Sequence, residues 1–283
     1  MRQLIICADM EGASGIFEEN WEAVCHEEIF PQKRLWREFG RAALTSDVLA
    51  VCEAANEAGV EDILLYDGHY AGCAEHNVIL ERLPRNVRVF DTPERCFYWR
   101  RIRGQAQWAP WALVTVGQHA RWGEENAYFP HTIQTPPLRA FWMNGLHLAE
   151  IGTAVLSFQG TPYAANVGCA ASHREARELS PEVSCITVKD KARGWEPSPE
   201  ETFPLIRQGV GEALRQIGQK TPFRMEGPCQ CLLELTEGYR FQAPERLSWK
   251  GVFREDQAEW EAPTAEIALE LFHYVRDCIV EAR

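Results

Sequence analysis

Apolar positions along this chain follow two rhythms. Short continuous runs read as buried strands, and positions spaced by three and four read as helix faces. The first run, Leu4-Ile5-Ile6, sits in a strand expected over residues 3–8. Residues 9–32 read as an irregular loop. A helix is expected over 35–58, where Leu44, Val48, Val51, Cys52 and Ala55 share a face and Gly59 stops it. A strand over 62–66 follows, and this strand–helix–strand unit implies parallel pairing with a right-handed crossover. Further strands are expected over 87–90, 111–116, 163–167, 183–188 and 229–236. Residues 136–144 read as extended, closed by the hairpin turn Asn144-Gly145. Helices are expected over 148–158, over 172–179 with Ser172 as cap, and over 199–216 with Ser198 as cap. A closing helix is expected over 262–282, with Ile267, Leu271, Tyr274, Val275 and Cys278 on one face.

The alternation predicts an α/β fold: a mostly parallel central sheet with flanking helices, plus a smaller α+β part. Residues 1–188 are expected to form the α/β domain that carries the site. The stretch 189–261, richer in proline and acids, forms the smaller part, and 262–283 packs back on the first domain.

The polar punctuation of the strands changes the picture most. The first strand ends in Cys7-Ala8-Asp9-Met10-Glu11-Gly12. Two acids separated by one residue point to the same side, and Gly12 and Gly15 let the backbone turn. The second strand ends in Asp67-Gly68-His69, and the strand over 111–116 ends in Gly117-Gln118-His119. In open α/β sheets, sites form at the carboxyl ends of strands. Glu150, in the first turn of its helix, completes a set with Asp9, Glu11, His69 and His119. Singly, each has an ordinary use as a loop acid, a turn histidine or a partner of the helix dipole. Together, carboxylates and imidazoles suit zinc, manganese or cobalt, and five side chains exceed what one catalytic zinc keeps. They fit two divalent ions sharing a carboxylate. His131, in the loop after His119, reads as a sixth ligand, a surface residue or a general acid/base. His26, His76, His147, His173 and His273 read as structural, and Asp67 as a support for an imidazole. No GxSxG, GxxxxGK or GxGxxG pattern is present.

Composition and charge narrow the partners. Net charge is −12, from 29 basic and 41 acidic residues, which argues against nucleic acid or an anionic membrane. No stretch approaches the roughly 18–20 apolar residues of a membrane span, and no signal peptide is read at the start. A cytoplasmic protein is expected. The ten cysteines are scattered and read as buried thiols of a reducing compartment, the Cys229-Gln-Cys231 pair included. Trp36, Trp99, Trp108, Trp111 and Trp122 neighbour the site residues in sequence and read as core, with an aromatic subunit interface as the other use.

Five separated motifs in one order resemble a known family. Asp-Met-Glu-Gly at 9–12, Asp-Gly-His at 67–69, Gly-Gln-His-Ala-Arg at 117–121, His131, and Asn-Gly with Glu-Ile-Gly within 144–152 resemble the zinc-dependent D-aminopeptidases of the dipeptide-transport type. The likeness spans residues 1 to about 155 and continues more weakly through Val188-Lys189 and Arg193-Gly194. One departure is Gly168-Cys169-Ala170, where the family carries Gly-Asp-Asp. The resemblance implies a dinuclear zinc aminopeptidase that acts on short peptides or amides, prefers D-residues and uses metal-activated water. It implies Asp9 as bridging ligand, with Glu11, His69, His119 and Glu150 completing two zinc sites, and His131 as the catalytic histidine. It also implies a ring-shaped homo-oligomer, a decamer. The rival readings are a metal-dependent amidohydrolase or phosphoesterase on another small substrate, and a non-catalytic metal-binding scaffold subunit.

Overall fold

Alternate residues of the first strand serve opposite faces of a sheet. Within β1 (Gln3–Ala8), Leu4 and Ile6 join one core, while Ile5 and Cys7 join another. The computed structural model describes residues 2–71, 73–90, 110–245 and 248–282. Trp99, Trp108 and Cys96 lie outside these described residues.

The loop after β1, which includes a 3₁₀ turn at Glu18–Val24, leads to α1 (Arg41–Glu57), then β2 (Asp62–Asp67) and β3 (Val87–Val89). Next come β4 (Ala112–Gln118), the hairpin β5 (Leu138–Met143) and β6 (Leu146–Leu148), and α2 (Glu150–Ser157). Asn144 and Gly145 make that hairpin turn with φ of 50° and 82°, the left-handed values a tight two-residue turn requires. Then follow β7 (Tyr163–Cys169), α3 (His173–Leu179), β8 (Ser184–Lys189) and α4 (Pro199–Arg215). The chain closes with β9 (Cys229–Leu235), β10 (Tyr239–Phe241), β11 (Gly251–Phe253), β12 (Gln257–Ala262), α5 (Ala265–Arg276) and β13 (Ile279–Glu281).

Six strands form one parallel sheet in the order β3-β2-β1-β4-β7-β8. The α/β architecture expected from the sequence is present. From β1 the chain winds outward through β2 and β3, then returns to place β4 on the other side of β1. This reversal between β1 and β4 is a topological switch point, where a crevice opens at the carboxyl edge. All seven residues of β4 and of β7 are buried, as strands covered on both faces should be. On one face, Leu44, Val48 and Val51 of α1 meet Val210 and Leu214 of α4. On the other, Ile151 and Val155 of α2 pack with Phe141 of β5, Trp260 of β12 and Phe272 of α5.

The second sheet is antiparallel, in the order β11-β12-β9-β5-β6. It draws β5 and β6 from before residue 188 and the other three strands from after it. Cys229 and Cys231 face its buried side opposite Ala262 and Trp260.

Two local expectations are corrected. The closing helix stops at Arg276, because residues 279–281 pair with β10 instead. Its buried face is Ala268, Leu271, Phe272 and Val275, whereas Ile267 and Tyr274 are exposed. Ser172 does not cap α3: its own backbone is helical, and its hydroxyl donates to the Cys169 carbonyl. Ser198 does cap α4, in a reciprocal capping box with Glu201. Among the described residues, no helix is long and apolar enough to cross a membrane.

Candidate metal centre

The ends of β1 and β4 touch because two glycines let them. A Cβ on Gly12 would lie 2.0 Å from the Gln118 carbonyl oxygen, and one on Gly117 would lie 2.0 Å from that of Asp9. Gly117 also sits at φ +68°, and its carbonyl accepts from the Gly12 N–H at 2.8 Å. The closeness carries Asp9 and His119 to one point.

There the structure brings together all six singled-out side chains. His69 Nδ1 lies 3.1 Å from Glu11 Oε2 and 3.5 Å from Asp9 Oδ1. His119 Nε2 lies 3.3 Å from Asp9 Oδ2 and 3.2 Å from Glu150 Oε2. Asp9 therefore presents one oxygen to each imidazole. His131 Nε2 is looser, 3.6 Å from Glu150 Oε1 and 3.9 Å from Glu11 Oε1. Its ring stacks on that of His119, with centroids 3.8 Å apart. Asp9, Glu11, His69, His119 and His131 are buried, and Glu150 is half-buried.

Each imidazole is fixed from behind by a backbone carbonyl. His69 Nε2 donates to Val24 O at 2.8 Å, His119 Nδ1 to Ala120 O at 2.8 Å, and His131 Nδ1 to Phe129 O at 2.9 Å. A carbonyl only accepts, so the proton of a neutral ring sits on that side. The opposite nitrogen then aims a lone pair at carboxylate oxygens, which are also acceptors. Such an arrangement holds only if a proton or a cation stands between them.

The electrostatics say the same. Burial works against a charged His69, yet Glu11 and Asp9 outweigh it and hold its pKa well above the ordinary value. His119 is held high against burial by Glu150 and Asp9. Glu11 and Glu150 are pulled low despite burial, by His69 and His119 respectively. Asp9 is pushed up to about 6 by burial and by its neighbour Glu11. Four buried atoms here lack a hydrogen-bond partner: Asp9 Oδ2, Glu11 Oε2, His119 Nε2 and Glu150 Oε2. Unpartnered buried acceptors are costly, and inward-aimed nitrogen and oxygen donors are what zinc takes. The residues fit divalent metal. Asp9, Glu11 and His119, and likewise His119, His131 and Glu150, each place ligand atoms within 4.8 Å of one another.

A third group, His26, Glu28 and Cys73, is also compact. There His26 Nδ1 accepts from the Glu28 N–H at 3.1 Å and Nε2 donates to Glu75 O at 3.1 Å, so neutral His26 has no lone pair left for an ion.

Supporting residues include three to which the sequence assigned no role. Glu175, buried, accepts from the N–H groups of Ala149 at 2.6 Å and Gly152 at 2.8 Å, and so holds the start of α2, where Glu150 sits. Burial raises its pKa to about 7. Lys189, buried, donates to the carbonyls of Glu11 at 2.7 Å, Ala13 at 3.0 Å and Ile16, pinning the loop that carries Glu11. Asn77 donates to the His69 carbonyl at 2.6 Å and to Asp67 Oδ1 at 2.7 Å. The support expected from Asp67 thus reaches the His69 backbone through Asn77. Where the resemblance expects an acid, Cys169 packs among Phe17, Ala120, Ala127 and Tyr128. Trp36 is buried against His26, and Trp122 is exposed.

The comparisons with known proteins bear on the fold and the family. Among solved structures, the Zn-dependent D-aminopeptidase DppA from Bacillus subtilis, described as a self-compartmentalizing protease, superposes with a TM-score of 0.75. The match covers 98% of this chain and 97% of that one at 17% identity, so the likeness speaks to the fold. No curated protein matches the sequence. A family model described as Peptidase_M55, D-aminopeptidase, matches residues 1–274, and the chain belongs to that family.

Proposed function

We propose that this protein is a dinuclear zinc aminopeptidase that removes N-terminal residues from short peptides or amides and prefers D-amino acids. The observation that carries the reading is the set of inward-facing, unpartnered acceptors on Asp9, Glu11, His119 and Glu150. Asp9, Glu11, His69, His119 and Glu150 would hold the two ions, with Asp9 shared because its two oxygens face different imidazoles. Bound there, the ions supply a water activated near neutral pH and polarise the substrate carbonyl.

The chain's own groups do the rest. His131 lines the cavity, and its Nδ1–H is held by Phe129 O, so Nε2 points at the reacting region. There the Nε2 lone pair takes up the proton that the attacking water gives up, and the resulting imidazolium hydrogen-bonds the oxyanion or passes that proton to the leaving amine. His131 makes the loosest approach of the three imidazoles, 3.6 Å to Glu150 and 3.9 Å to Glu11, and the resemblance gives this histidine the catalytic role.

We also propose a cytoplasmic location and self-association into a ring, a homodecamer. The nine described cysteines are all free thiols, which suits a reducing compartment. Membership of the family and the self-compartmentalizing character of DppA favour the ring. The functional test is hydrolysis of paired D- and L-alanyl amides by the zinc-loaded protein, beside a generic phosphoester. Faster cleavage of the D-amide is expected. Cleavage of the phosphoester alone, or of nothing, would overturn the reading.

A further inference from the structure

The cavity holding the acid–imidazole cluster has a second wall. Its volume is about 560 Å³, within the roughly 300–1,000 Å³ of small-ligand sites. Asp9, Glu11, His69, His131 and Glu150 line it on the side of the parallel sheet and α2. The other wall is α5 and its end: Leu269, Phe272, His273, Arg276 and Asp277. Apart from histidines, Arg276 is the one cationic side chain among the described lining residues. It stands on the wall that faces the acid–imidazole cluster, where a ligand filling the cavity would meet it.

A last-turn arginine does complement the helix dipole. Among the described residues, no hydrogen bond from its fork of donors is recorded. The ion-pair partner recorded for it among the described residues is Asp277, with Nη2 3.6 Å from Oδ1, which is longer than a hydrogen bond. The Asp277 side chain is 70% exposed and the Arg276 side chain 35%, so this pair is a weak surface contact. The guanidinium remains available to the cavity.

We propose that Arg276 binds the free carboxylate of a short peptide whose amino end lies at the acid–imidazole cluster. The site thereby favours short peptides with a free C-terminus over the same peptides as amides. This rests on the aminopeptidase reading. A guanidinium matches a carboxylate with two parallel hydrogen bonds, and a neutral C-terminal amide cannot make that charged pair. The apolar stretch between the two ends, Tyr66, Ile133, Leu269 and Phe272, accommodates the peptide's side chains.

The test compares D-Ala-D-Ala with its C-terminal amide on the zinc-loaded protein. Wild type should favour the free acid in kcat/KM by about tenfold, the lower end for a charge-assisted pair at a partly exposed site. In Arg276→Gln the acid-over-amide ratio should fall toward one, chiefly through KM for the acid, and Arg276→Lys should restore part of it. A wild-type ratio at or below one overturns the assignment without any variant. So does a ratio that Arg276→Gln leaves unchanged. Hydrolysis of neither peptide would instead overturn the aminopeptidase reading on which the assignment stands.

Discussion

Replacing His131 by alanine separates two roles that the geometry places side by side. His69 and His119 approach carboxylate oxygens at 3.1–3.5 Å, whereas His131 stays at 3.6 and 3.9 Å and stacks on His119. A group that transfers or donates a proton in the transition state contributes about 10²–10⁴-fold, or roughly 3–5 kcal/mol of barrier. His131→Ala should therefore lower kcat for a D-alanyl amide by about 10²–10⁴-fold. Because no donor to the ions is removed, zinc should remain at two per chain. The ring is buried and stacked, so a stability loss of about 1–3 kcal/mol is expected alongside, small enough to leave the protein folded. The assay is steady-state kinetics on the zinc-loaded variant, with elemental analysis of the same preparation. A drop to one zinc per chain would make His131 a ligand, and undiminished turnover would remove it from catalysis.

Other consequences follow from the supporting residues and the charges. Glu175→Ala strips the acceptor from two N–H groups at the start of α2 and should cost about 2–4 kcal/mol in denaturant unfolding, with reduced zinc retention. Glu175→Gln keeps a carbonyl acceptor and should recover most of both; equal damage by the two variants would defeat this account. Lys189→Met leaves the carbonyls of Glu11, Ala13 and Ile16 without their donor, which outweighs the relief of burying one charge less. A loss of about 3 kcal/mol and weaker metal retention are expected, and a fully stable, fully loaded variant would contradict the role. In the metal-free protein, burial opposes the charge on His69 and His119, but the carboxylates raise both well above the imidazole norm. Their contribution is present below the ordinary imidazole range and is lost as pH rises through the raised values. Glu11 and Glu150, held low, contribute above the ordinary carboxylate range and lose it as pH falls through their lowered values. Zinc must displace the imidazole protons, so binding should release protons and weaken as pH falls. Calorimetry in two buffers of different ionisation enthalpy reads this directly, and a heat independent of buffer would count against it.

Much of the centre was legible because it is built from strand tips. An apolar run that ends in an acid or a histidine beside glycine carries a local signal, as at Asp9, His69 and His119. Glu150 was readable as a first-turn acid, and became meaningful only beside the other four. The parallel sheet followed from the same alternation. What the sequence did not disclose depends on contacts far apart in the chain. Glu175 sits between Arg174 and Ala176 in a charged helix, and nothing local says that it is buried against α2. Lys189 ends a strand like any edge lysine, yet its ammonium reaches back to the loop after β1. The apolar pattern after Ala262 runs on to Val280, so the closing helix looked longer than it is; pairing of Ile279 with Phe241 ends it. Leu138 to Leu148 reads as a hairpin, but no nearby residue reveals that β5 joins β9.

The central claim is that Asp9, Glu11, His69, His119 and Glu150 jointly hold a pair of ions. Anomalous diffraction at the zinc edge, from crystals of the zinc-loaded protein, tests it most directly. The account predicts two peaks inside that cluster, roughly 3.5–4 Å apart, with Asp9 between them. A single peak, or zinc bound only elsewhere, such as at His26, Glu28 and Cys73, would contradict it.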